Sequence, residues 1–96
     1  MLELRPNCEL CDRDLPPASP DARICTFECT WCVDCVENVL HDVCPNCGGN
    51  LVPRPIRPRD SLARHPASTT RVHTPYTREQ IDGRTAANRG VSPTER

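Results

Sequence analysis

The run Cys8-x2-Cys11-x13-Cys25-x3-Cys29-x2-Cys32-x2-Cys35-x8-Cys44-x2-Cys47 decides the fold of this chain. It gathers all eight cysteines into the first half of 96 residues. Eight soft sulfur donors divide into two groups of four, the number that closes a tetrahedral structural Zn²⁺ site. A two-residue spacer lets one tight turn present two thiolates to the same ion. The rival use of eight cysteines is four disulfides, which suits a small secreted scaffold.

Compartment separates the two. The opening Met1-Leu2-Glu3-Leu4-Arg5-Pro6-Asn7-Cys8 has no basic n-region, no apolar stretch of signal-peptide length and no small-residue cleavage site. No run approaches the ~18 apolar residues of a membrane span. The expected setting is the reducing cytoplasm, where paired Cys-x-x-Cys motifs mean metal, and two Zn²⁺ ions are the expected cofactors. Iron is a weaker reading. Cys44-Pro45-Asn46-Cys47-Gly48-Gly49 resembles the knuckle of rubredoxin-like sites, but Asp12 stands where the first pair would carry glycine, and four cysteines would be surplus.

Composition explains why a metal is needed. Eleven prolines, a hydrophobic fraction of 36% and single Phe, Tyr and Trp residues leave too little apolar surface for an ordinary core. A structural zinc supplies about 10–16 kcal/mol toward folding, so the metal-free chain is expected to be unfolded.

The chain divides near residue 53 into a zinc-binding module over 1–53 and a Pro/Arg-rich tail over 54–96. Residues 1–52 carry nine acids and three arginines, −6, while residues 53–96 carry four acids and nine arginines, +5. The acidic module calls for a basic partner surface, and its own tail is the nearest candidate. With few apolar residues and no sustained periodicity, that tail is expected to be disordered. Thr77-Arg78-Glu79-Gln80 offers it a capping-box start for a short helix to about Asn88, which Gly83 weakens.

Within the module, residues 22–31 show β-branched and aromatic content with a rough alternation and read as a short hairpin. Val36, Val39, Leu40 and Val43 then fall at i, i+3, i+4 and i+7, the stripe of an amphipathic helix starting near Cys32. The fold class is a small metal-stabilised α+β module. Knuckle, hairpin and a helix whose first turn carries two cysteines form the order of a treble-clef zinc site, which assigns Cys8, Cys11, Cys32 and Cys35 to one ion. Cys25, Cys29, Cys44 and Cys47 then hold the second. Such interleaving is similar to the cross-brace of RING domains. The competing order is sequential, as in LIM domains, with Cys8, Cys11, Cys25 and Cys29 on one ion and the remaining four on the other.

A closer likeness runs through Met1-Leu2-Glu3-Leu4-Arg5-Pro6-Asn7-Cys8-Glu9, Cys11-Asp12-Arg13-Asp14-Leu15-Pro16-Pro17, Ile24-Cys25, Phe27-Glu28-Cys29-Thr30 and Cys44-Pro45-Asn46-Cys47-Gly48-Gly49. Over about residues 1–55 the chain resembles a bacterial family of small cysteine-rich proteins of unassigned function. The resemblance implies a cytosolic bacterial zinc-binding protein and brings no activity with it. Members often carry a further cysteine where this chain has Leu10, which agrees with Cys8 and Cys11 as the ligands.

Function classes separate on chemistry. A catalytic zinc keeps an open coordination position and a nearby base, and neither predicted site offers them. His41 reads as a surface residue at a helix C-terminus, His65 and His73 as solvated, and Glu28 and Asp34 as exposed or supporting neighbours of ligands. With no nucleophile triad or phosphate loop, the chain is not read as an enzyme. Nucleic-acid binding through the arginine tail is an alternative, although the module is acidic and its aromatics, Phe27 and Trp31, are expected as core anchors. Zinc thiolates also allow a redox or zinc sensor. In a RING ligase adaptor Leu10 and Pro45 would contact a conjugating enzyme, but packing and turn chemistry account for both, and the chain contains no lysine. The favoured reading is a structural double-zinc scaffold for protein contact, with Asp34, Glu37 and Asp42 as contact residues and no membrane association.

Overall fold

The computed structural model describes all 96 residues, Met1–Arg96. Strand β1 (Ala22–Ile24) pairs antiparallel with β2 (Thr30–Cys32), with Ala22 opposite Cys32 and Ile24 opposite Thr30. This is the hairpin expected over residues 22–31. A third strand, β3 (Val52–Pro53), joins the free side of β1 and gives the sheet order β2-β1-β3. Pro53 lies in an edge strand, the one place in a sheet where its missing N–H costs no ladder bond.

β2 runs directly into α1 (Val33–Cys35), and the chain continues as a π-helical turn over Val36–Leu40. The wider turn closes with the His41 N–H donating to the Val36 carbonyl at 2.7 Å. His41 and Asp42 then take left-handed φ values of 47° and 65°, ending the helix two residues before Cys44. Of the expected apolar stripe, Leu40 and Val43 are fully buried, while Val36 and Val39 are half-buried against the core. Trp31, Leu4, Leu15, Leu40 and Ile81 are the largest apolar side chains in the interior, and six cysteines complete its main cluster. Phe27, expected beside Trp31 in the core, is 71% exposed. It sits in the turn between Cys25 and Cys29, whose side chains are buried, so the residue between them is left outward.

The expectation of a disordered tail is corrected by the structure. Residues 54–96 include α2 (Arg59–Arg64), α3 (Arg78–Asn88) and a 3₁₀ turn at Pro93–Glu95, and the segment folds back along the module. The radius of gyration, 13.4 Å, is near the ~13 Å of a folded chain of this length. Arg54 is only 4% exposed and donates to the carbonyls of Arg5, Leu15 and Pro16 at 2.8–3.1 Å. Burial lowers its pKa, and carbonyl dipoles rather than a carboxylate solvate the guanidinium. Farther along, Ser68 N–H donates to the Glu3 and Leu4 carbonyls, Thr74 N–H to the Glu9 carbonyl, and Arg71 reaches both Asp12 and Asp14. The capping box at Thr77 forms, with Gln80 as its partner, and α3 packs on the π turn through buried Ile81 and Thr85.

The physical reason is that the tail needs no core of its own. It uses the acidic face and free backbone groups of the module, which is where its opposite charge directs it. A composition rule counts only what a segment can bury in itself.

Candidate metal centres

The first knuckle is a tight turn in which Asp12 N–H donates to the Cys8 carbonyl at 2.9 Å. Asp12 holds a left-handed φ of 65° there. Its Oδ1 accepts from Asn7 Nδ2 at 3.0 Å and from Arg71, which compensates for the absence of glycine. The second knuckle repeats the geometry with Gly48, at φ 81°, donating to the Cys44 carbonyl at 2.7 Å. Gly49 N–H also points at the Cys47 sulfur at 3.4 Å.

The sulfurs of Cys8, Cys11, Cys32 and Cys35 all lie within 4.8 Å of one another. Cys32 caps the start of α1 and Cys35 closes its single turn, so the strand-to-helix junction presents both to the first knuckle. The Cys11–Cys32 separation of 3.7 Å equals the edge of a tetrahedron with metal–sulfur bonds of ~2.3 Å, about 3.8 Å. No disulfide joins any of the eight cysteines in the structure.

Cys25, Cys44 and Cys47 form a second group within the same mutual limit. Cys29 interacts with Cys25 and Cys44 but falls outside that all-pairs sphere. The two groups interleave along the chain, and Cys8 and Cys25 are not brought together as the sequential order would require. His41 joins neither group and stands half-exposed at the end of the π turn. The structure thus holds two cysteine groups that could bind metal ions.

Five of the thiols are shifted from the ordinary thiol value by burial and by one another. Burial pushes Cys8 up to about 11. Burial, reinforced by the neighbouring Cys8 charge, pushes Cys35 up as well. Burial opposes ionisation of Cys32 too, but hydrogen bonds from the Cys35 backbone and the other three thiols bring it below the ordinary thiol value. In the second group, hydrogen bonds from Cys29 and Cys44 lower Cys25 to about 4. Cys44 is pushed up by donating to Cys25 and Cys29 and then by burial. Ionising one thiol therefore makes its neighbours hold their protons. A soft divalent cation would replace those protons and let a whole shell ionise, so the donor set fits a thiophilic tetrahedral ion.

The first knuckle also carries a residue for which the sequence alone suggested no role. Glu9 is 1% exposed, and its carboxylate accepts from Arg5 at 2.9 Å, from Thr30 N–H at 2.5 Å and from Asn46 Nδ2 at 3.2 Å. Burial raises its pKa, opposed by the Thr30 N–H and Arg5. Arg5 four residues before a glutamate flanked by Cys8 and Cys11 was the available signal.

No helix is long and apolar enough to cross a membrane. No solved structure matches the chain. An uncharacterized protein of Rhizobium meliloti (strain 1021) is 65% identical over 75 residues, which cover 78% of this chain and 89% of that protein. Residues 1–57, spanning both cysteine groups, match the family described as "Protein of unknown function (DUF1272)", and the chain belongs to that family.

Proposed function

We propose that this protein is a non-catalytic scaffold built on two structural Zn²⁺ ions. Cys8, Cys11, Cys32 and Cys35 hold one ion, and Cys25, Cys29, Cys44 and Cys47 hold the other, in a treble-clef, RING-like cross-brace. The observation that carries the reading is the interleaving of a four-sulfur group with a three-sulfur group, each within 4.8 Å, in a chain with too little apolar surface to fold on its own. Cys29, the fourth residue of the second set, interacts with Cys25 and Cys44 in the same cluster. Zinc is favoured over iron because eight thiolates in two closed sets match its structural chemistry.

The ions supply rigidity, and the surface supplies function. Exposed Asp34, Glu37 and Asp42 offer an acidic face to a basic protein partner. Six tail arginines, Arg54, Arg57, Arg71, Arg78, Arg84 and Arg96, already donate within the chain, which weighs against the tail as a free nucleic-acid arm. Native mass spectrometry with elemental analysis tests the reading. Two zinc ions per chain are expected, and zero or one at saturating zinc would refute it.

A further inference from the structure

Both metal groups converge on Glu9. It lies between Cys8 and Cys11, so its backbone belongs to the first knuckle. Its N–H donates to the Thr30 carbonyl at 2.9 Å while its carboxylate receives the Thr30 N–H. Thr30 stands between Cys29 of the second set and Cys32 of the first. The other carboxylate oxygen receives Asn46 Nδ2, and Asn46 sits between Cys44 and Cys47 in the second knuckle. Through its backbone and its buried side chain, Glu9 thus ties its own knuckle to two further segments, so that residues of both cysteine groups meet there.

We infer that Glu9 and Asn46 form a positioning bridge that couples the two sites, so that zinc loads them together. This rests on the two-zinc reading. When the first site forms, Glu9 is drawn out of water with Arg5 and Thr30 as partners. Its remaining oxygen depends on Asn46, which is delivered only when the second knuckle closes. A buried carboxylate short of one hydrogen bond is costly, so filling either site favours the other. The Asn46 side chain is itself oriented by Thr74, whose Oγ1 donates to Asn46 Oδ1 at 2.9 Å.

Coupling between sites commonly amounts to about 5–150-fold in affinity. The test supplies one zinc ion per chain to full-length apoprotein, half saturation for two sites, and counts species by native mass spectrometry. Coupling in this range between comparable sites leaves under about a third of chains singly loaded, against about half or more for independent sites. Asn46→Ala is expected to raise the singly loaded fraction to about half. Asn46→Asp keeps the acceptor for Thr74, removes the donor to Glu9 and is expected to do the same should the alanine variant fold poorly. Thr74→Val, which removes the hydroxyl that orients Asn46, is expected to raise the singly loaded fraction in the same direction but by less than either Asn46 variant. The inference is overturned if the parent already shows half or more of its chains singly loaded, or if both Asn46 variants keep the parent distribution. Failure of the parent to take a second ion in excess zinc would instead overturn the two-zinc reading, and the coupling with it.

Discussion

Cys35→Ser is expected to abolish the cooperative fold and to leave the chain without stably bound zinc. Cys35 is a buried member of the first cysteine group at the one turn of α1, where β2, the first knuckle and the π turn meet. Serine replaces a soft thiolate with a poor zinc donor and leaves a hydroxyl among buried sulfurs. A structural zinc contributes about 10–16 kcal/mol, whereas a small domain has only about 5–15 kcal/mol of net stability. Losing the metal term therefore matches or exceeds the margin. Cys47→Ser should be milder, because Cys47 is exposed and its knuckle retains the Gly48 turn. Zinc content and far-ultraviolet circular dichroism report both variants. A Cys35→Ser protein with native dichroism and two bound ions would show that Cys35 is not a ligand.

Acid is the second large lever, and its sign follows from the ligands. Below about pH 8.5 the unfolded chain carries its protons on sulfur, whereas each metal-bound sulfur carries none. The bound state therefore has depressed thiol pKa values, and the stability they give is present above the unfolded value and lost as pH falls. Four protons per site correspond to about 5 kcal/mol per pH unit at fixed free zinc. Two units below neutrality cost about 11 kcal/mol per site, the size of the zinc term itself. Zinc release and loss of dichroism should coincide near about pH 5. Metal-free protein has no such transition to lose. A chain that releases zinc in acid yet keeps its dichroism would show that the fold does not depend on the metal.

Much of this architecture is written in local residue patterns. The hairpin over residues 22–31 was legible because β-branched and aromatic residues alternate there. The helix start was legible because Cys32 and Cys35 precede an i, i+3, i+4 stripe. Local pattern could not reveal β3, since Val52-Pro53 is two residues long and becomes a strand only by pairing with β1. Nor could it reveal the π turn, which shares its apolar spacing with an ordinary helix. The tail was misread for a related reason. Arg54, Arg71 and Thr74 gain their partners from residues 38–59 positions earlier or from the backbone of the first knuckle, so no window around them carries the signal. Phe27 shows the opposite error, because hydrophobicity predicted burial where the buried Cys25 and Cys29 on either side leave the residue outward.

The interleaved pairing of the cysteines is the centre of the structure, and cadmium reports it most directly. With ¹¹³Cd in place of zinc, scalar couplings link each metal resonance to the β-protons of its own cysteines. Cys8, Cys11, Cys32 and Cys35 are expected to couple to one resonance, and Cys25, Cys29, Cys44 and Cys47 to the other. Correlations from Cys8 and Cys25 to the same ion would contradict the cross-brace and require the sequential order instead.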